Sequence, residues 1–430
     1  MDPVSATADL LAFAGAEHAL PKAVRADALR LLADTLAVGA AGAGAPGADA
    51  ILAAARTMGS GEEARLIGTP QRLPAPAAAF VNGYRIHCLE WDAVHEPAVV
   101  HALSTVVAAL GAAIDRRGGC DPEAALAALA VGVDVAAGLG LAADTPLTFF
   151  RPATAGVIGA ALAVARIDRA PLDDTLGLAF SSAAGTMQAH VEGLATLPFQ
   201  IANAARAAVT ASDLARAGFP GPRDPLEGQF GYFRLFDGGD LAHYTRDIGK
   251  VWRIAEVSVK PFPSGRASHA LIGAIGELGL GAQDVEALEM HVPPLVHRLI
   301  GRPFRPDMTP AYARLCGPLL AALALRDGLI DPRAFTPGTF ADPAIAALAG
   351  RIAILPDDNP DPNALSPQRM VVHVADGHID MEIPHTLGSP ASPLSPAQAE
   401  AKLRLARHLA PADADPRIFA DPLSYFTGTP

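Results

Sequence analysis

The stretch "VWRIAEVSVKPFPSG", residues 251–265, is where the pattern of this chain changes. Its middle, "IAEVSV", is rich in β-formers and reads as a strand, and the prolines and glycine that follow read as a turn. Upstream, from about residue 5 to 250, the pattern is helical with brief interruptions. "KAVRADALRLLADTLAVGAAG" (22–42) repeats apolar residues every three or four positions and ends in glycines, an amphipathic helix with its stop signal. "PEAALAALAVGVDVAAGLGLAA" (122–143) and "TAGVIGAALAVARI" (154–167) are apolar on nearly every face, which places them inside a bundle. No repeat of fixed period is present, so a solenoid is not expected.

Downstream the elements alternate. "HALIGAIGELGL" (269–280) reads as a helix, "VEALEMHVPP" (285–294) as a strand, "TPAYARLCGPLLAALALRDG" (309–328) as a helix and "RIAILP" (351–356) as a strand. "RMVVHVA" and "HIDMEI" flank Asp376-Gly377, the signal of a β-hairpin. Ser395 and Pro396 then open a last helix as cap and first turn. The expected fold is mainly α. A large helical domain, residues 1–253 and 394–430, carries a smaller α+β lid, residues 254–393, inserted before the C-terminal helices. A cleft between body and lid is a favoured place for a small-molecule site.

Composition narrows the partners. The 430 residues suffice for two or three domains; half are hydrophobic, 18% are charged and only 5% are aromatic, so Ala, Leu, Val and Ile build the core. A formal net charge of −12 argues against nucleic acid or an anionic membrane as partner, but not against a small anionic substrate in a local basic pocket. Cys88, Cys120 and Cys316 show no pairing pattern, and the acidic N-terminus lacks the basic region of a signal peptide. Most apolar runs are broken before membrane-spanning length. A cytoplasmic protein is expected.

Two stretches concentrate chemistry. "NGYRIHCLEWDAVHEPAVVHALS" (82–104) holds three histidines between apolar helices. On one helix over 85–95, His87 and Glu90 share a face. His95, Glu96 and Pro97 mark a break, and His101 opens the next helix, where free N–H groups favour anions. His87, Glu90, Asp92, His95 and His101 are all metal-ligand types, but no spacing matches HExxH or another strong motif, and His87 equally suits a satisfied core histidine. The second stretch, "KPFPSGRASHA" (260–270), sets Lys260, Arg266 and His269 near a helix start. There the macrodipole opposes positive charge, so a carboxylate-rich substrate is the better explanation. "SSAAGTMQAHVEG" (181–193) is a weaker candidate for a loop lining the cleft. No GxGxxG, GK[ST] or GxSxG signature occurs.

These segments in their order resemble the MmgE/PrpD family over nearly the whole chain. The 82–104 stretch is similar to the family's NGxxxHxLDFDDTHxxxxHPS region. Further likenesses are "ATAGVIGAALAVARI" (153–167), "ARAGFPGPRDPLEGQFGYF" (215–233), "VSVKPFPSGRASHA" (257–270), "TPAYARLCGPLLAALALRDG" and "GSPASPLSPAQAEAKL" (388–403). The resemblance implies a helical body with an α+β lid, a homodimer, no organic cofactor, and a di- or tricarboxylate substrate bound between body and lid. Glu90 stands at the first Asp of DFDDT, and Asp92 matches. Ala93 and Val94 replace the following Asp and Thr, His101 matches the HPS histidine, and Gly265 replaces the lid motif's Cys. Phe150, beside Arg151, takes the place of a frequent histidine, and Leu197 that of the family's active-site lysine.

The resulting expectation is a 2-methylcitrate dehydratase-like lyase, without metal or cofactor, that transfers a proton next to a carboxylate. His101 or His269 moves the proton, with Glu90 or Asp92 orienting the histidine or acting as its partner. Lys260, Arg266, His95 and Arg151 bind the substrate. The alternatives are a decarboxylase, an epimerase, or a divergent member that binds a carboxylate without catalysis. For that last reading the test is whether Arg151, Arg206 or Arg85 fills the space left by the lysine.

Overall fold

The computed structural model describes residues 5–428, and these are mainly helical. The N-terminal helices that position the site are α1 (Lys22–Ala41), α2 (Ala75–His87), α3 (Ala102–Arg116), α4 (Pro122–Leu141), α5 (Arg151–Asp168) and α6 (Thr196–Arg216). α4 and α5 are buried on nearly all faces, as their uniform apolarity requires. α4 is long and apolar enough to cross a membrane, and 89% of that window lies inside the molecule. The two helices meet at glycines: a methyl group on Gly159 would collide with the Gly132 carbonyl and the Ala136 methyl.

Beyond residue 260 come α7 (His269–Leu278), β1 (Ala287–Val292), α8 (Gly317–Asp327), β2 (Ile352–Pro356), β3 (Gln368–Val374) and β4 (Gly377–Ile383). The strands form one sheet in the order β2-β1-β3-β4, with β1 and β2 parallel and the other pairs antiparallel. α9 (Pro396–Leu409) closes the series under a capping box in which Ser395 and Gln398 exchange hydrogen bonds.

The hydrophobic core is divided. One cluster joins the N-terminal helices to Ile418, Tyr425 and Phe426. A second is built from α7, α8 and the sheet, and a small third one packs Ala406 of α9 against Val38 and Trp91. Residues near the end of the chain thus pack with the N-terminal helices.

Four local expectations are corrected. "IAEVSV" is not a sheet strand: Arg253–Glu256 forms a 3-10 turn, held by the Asp134 carboxylate of α4, which accepts from Arg253 N–H at 2.8 Å. Only Ser258 pairs there, with Val94. The 309–328 helix is two, Pro310–Ala313 and α8, because Pro318 lacks an N–H and fits only a first turn. Val374 pairs with Gly377, so Ala375 and Asp376 turn the hairpin, and Gly377 starts β4 at φ 137°. Residues 85–95 are not one helix, since α2 ends at His87.

The α4–α5 contact gives a stability test. Gly159→Ala overpacks it and is expected to cost about 1–3 kcal/mol in urea denaturation. Gly44→Ala meets nothing within 4 Å and should stay within about 0.5 kcal/mol of the parent.

Candidate active site

The site is made where the chain leaves α2 and returns as α3. After His87 the backbone reverses: Glu90 N–H donates to the His87 carbonyl at 2.9 Å, and Glu90 takes φ 52°. Val94 and Ser258 exchange two backbone hydrogen bonds (3.0 and 2.9 Å), tying this loop to the segment that carries Lys260. His95 and Val100 do the same across a tight turn in which Val99 has φ 53°. A β-branched residue in that region costs about 1–3 kcal/mol, and such strain gathers at functional sites. Glu90 and Val99 are two of the three non-glycine residues at positive φ among the described residues, and both line the same small cavity.

Asp92 is the hub. It is fully buried, and it accepts from His87 Nδ1 and His101 Nδ1 at 3.0 Å each and, by a short bond, from the Ser104 hydroxyl. His101 is the N-cap of α3 and Ser104 lies in its first turn, where the helix's positive end favours a carboxylate. Burial alone would raise the Asp92 pKa, but the two imidazoles outweigh it and hold the group well below the carboxylate range. With both Nδ1–H groups donated to Asp92, each ring keeps Nε2 for other work. His87 Nε2 is buried without a hydrogen-bond partner, 3.5 Å from the Glu90 carboxylate.

The two histidines differ in basicity. Burial opposes the charge on His87, but Asp92 and Glu90 outweigh it and raise its pKa above 6.5. For His101 burial prevails, helped by the Lys260 charge, and its pKa falls below 6.5. One ring is thus the standing acid and the other the standing base.

Lys260 is fully buried and donates to the Glu90 carbonyl (3.2 Å) and carboxylate (3.1 Å). Burial would raise the Glu90 pKa, but Lys260 and the histidines bring it down to about 2. Arg266 lines the small cavity, yet its terminal nitrogens serve Glu96 (2.7 Å) and the Thr386 and Leu387 carbonyls, and only Nε is unpartnered. His269 lies outside both cavities that reach His87. Its Nε2–H donates to the Ser264 carbonyl at 3.1 Å, and burial and the Arg266 charge keep it neutral.

Two expected substrate contacts are engaged in the framework. His95 bonds Ala98 N–H and Glu256 inside the tight turn. Arg151 is fully buried in an ion pair with Asp237 (2.9 Å) and donates to the Ala98 and Thr145 carbonyls. The metal-ligand group narrows to His87, Asp92 and His101, which offer atoms within 4.8 Å of one another. The hydrogen bonds favour another use, because both rings turn their protonated nitrogen to the carboxylate.

The cavity beside the pair holds about 70 Å³ and is mostly apolar, with Leu147, Phe150, Met187 and Leu197 in its wall. His190 also lines it. Burial, then the Arg302 guanidinium 3.3 Å away, lowers its pKa to about 4. A second cavity of about 280 Å³ lies across a wall shared by His87, Glu90, Leu197 and Leu315. Its cation is Arg314, which the sequence signalled only as an arginine inside an apolar segment. None of Arg151, Arg206 or Arg85 lines either cavity.

The divided pair predicts a bell-shaped pH profile for kcat/KM. The acid limb falls below pH 6.5 as the His101 base is protonated, and the alkaline limb lies above 6.5 where the His87 acid is lost. Asp92→Asn leaves one ring facing an amide N–H. It is expected to cut kcat about 10²–10⁴-fold and to distort the bell, with near-UV circular dichroism reporting that the fold survives.

The MmgE/PrpD N-terminal domain model matches residues 12–245, and the C-terminal domain model matches residues 262–420. Cis-aconitate decarboxylase of Mus musculus is 27% identical over 381 residues, covering 81% of this chain and 76% of its own length. The Homo sapiens protein of that name is 26% identical, covering 67% and 63%. A cis-aconitate decarboxylase-like protein of Aspergillus oryzae is 28% identical, covering 60% and 58%.

Proposed function

Because the chain belongs to the MmgE/PrpD family, we propose that it is a lyase acting on a small carboxylate, and that it dehydrates a di- or tricarboxylic hydroxy acid in the manner of a 2-methylcitrate dehydratase. The carrying observation is the Asp92 carboxylate, which binds two imidazoles of opposed proton affinity. In this reading His101 Nε2 takes the proton from the carbon next to a carboxylate. His87 Nε2–H protonates the departing hydroxyl, so a C–H and a C–O bond are exchanged for C=C and water. Asp92 holds both rings and balances the charge that alternates between them. No step requires a metal or an organic cofactor.

Loss of CO₂ is the second reading. It is favoured by the names of the relatives and by the apolar cavity, which solvates a departing carboxylate poorly and leaves the carbanion to take a proton from His87. The same pair serves both reactions, and the substrate selects between them.

The test is NMR of the purified protein in D₂O with 2-methylcitrate, citrate, cis-aconitate and branched dicarboxylates. Expected is product or deuterium incorporation with at least one acid, reduced at least about 100-fold in His101→Ala and in His87→Ala. Silence across the panel, with thermal stabilisation by one of the acids, would replace the lyase reading with carboxylate binding alone.

A further inference from the structure

Among the described residues four buried cations have their acid: Lys260 has Glu90, Arg266 has Glu96, Arg151 has Asp237 and Lys402 has Asp34. Arg85 and Arg314 do not, but Arg85 lies outside both cavities and gives one nitrogen to the Ile67 carbonyl at 2.6 Å and the Thr69 hydroxyl at 3.1 Å. Arg314 is 4% exposed, and no carboxylate among the described residues forms an ion pair with it. Its one side-chain hydrogen bond is a long one, Nη1 to the Pro310 carbonyl at 3.4 Å. Nε is buried without a partner, and the guanidinium rests over the Phe335 ring at 4.8 Å. An aromatic face compensates a buried charge only partly, so a guanidinium in this state lacks an anion.

Its position says which anion. Arg314 lines the larger cavity, whose wall of His87 and Glu90 is also the wall of the cavity beside His101. The neighbouring polar groups are committed. Tyr84 donates to the Pro46 carbonyl, Thr309 to the Gly193 carbonyl, and Glu90 is held by Lys260. Leu197, standing where the resemblance to the family places a lysine, lines both cavities and adds no charge.

We infer that Arg314 anchors a second, non-reacting carboxylate of the substrate, and that the substrate is a dicarboxylate with a short apolar branch rather than a tricarboxylate. The inference rests on the reading of the site as a carboxylate lyase. Two carboxylates are accounted for: one on Arg314 in the larger cavity, and one at the reacting carbon between His87 and His101, near the free Nε–H of Arg266. The smaller cavity, walled by Phe150, Met187 and Leu197, accepts a methyl- or ethyl-sized branch and offers a third carboxylate no unpaired charge.

The experiment is calorimetric titration with mesaconate and methylsuccinate (dicarboxylates), crotonate (monocarboxylate) and citrate, against the parent chain, Arg314→Met, Arg314→Lys and Leu197→Glu. Melting curves show which variants are folded. Expected is at least 30-fold weaker dicarboxylate binding in Arg314→Met, partial retention in Arg314→Lys, and less than threefold change for crotonate. Citrate should bind the parent at least tenfold more weakly than mesaconate. Leu197→Glu, which sets a carboxylate in the wall of the Arg314 cavity, should exclude dicarboxylates to a similar degree, and it tests the anchor even if Arg314→Met does not fold. Unchanged dicarboxylate affinity in Arg314→Met or Leu197→Glu overturns the anchor while leaving any proton exchange in D₂O as evidence for the lyase. Arg314-dependent binding without proton exchange overturns the lyase reading and leaves the anchor standing.

Discussion

A carboxylate with no access to water must be given its hydrogen bonds by the chain, and Asp92 sets that demand at the centre of this molecule. Its three donors come from two places: His87 at the end of α2, and His101 and Ser104 at the start of α3. To meet them α2 must stop at His87, the loop must reverse through Glu90, and α3 must present its first turn. The positive φ of Glu90 is the local cost of that reversal. Each hydrogen bond to the charged group contributes about 1.5–3 kcal/mol, enough to hold a loop in a strained conformation.

The same loop couples the two hydrophobic cores. Val94 pairs with Ser258, Glu90 holds Lys260, Glu96 holds Arg266, and the Trp91 indole N–H donates to the Pro261 carbonyl at 3.2 Å. Both cavities open against this seam, with residues of the first core on one side and Arg266, Arg314 or Leu365 of the later segments on the other. The acidic chain as a whole repels anions, yet the seam gathers cations and then neutralises most of them internally. Net charge is therefore a poor guide to the substrate, whereas the list of cations left unpaired is a good one.

Much of the fold was legible because it follows from period and punctuation. The all-round apolarity of α4 and α5, the Ser395 cap and the alternating β3–β4 hairpin needed no tertiary information. The errors came where a tertiary contact overrides local pattern: Asp134 coils residues 253–256, which looked like a strand, and Pro318 divides one apolar run into two helices. Within the site, Glu90, Asp92, His101, Lys260 and Arg266 were legible as titratable groups between apolar helices, and they do meet. His87 was legible only as a metal-ligand type or a core histidine, because its relation to Asp92 exists only once the helix has ended between them. Arg151 and His95 are framework groups for the same kind of reason, since Asp237 and Glu256 stand 86 and 161 residues away from them.

Acid–base assignment depends on this framework more than on the histidines. Two imidazoles on one carboxylate are alike until their second neighbours are counted. His87 has Glu90 at 3.5 Å, whereas His101 has no second acid at ion-pair distance among the described residues and the Lys260 charge opposes its imidazolium. Lys260 thus acts twice: it fixes Glu90 beside His87, raising one ring indirectly, and it lowers the other directly. Exchanging Glu90 for the shorter aspartate would draw the carboxylate away from one of its two partners, Lys260 or His87. The longer arm at this position is therefore what allows one carboxylate to neutralise the lysine and still polarise the acid.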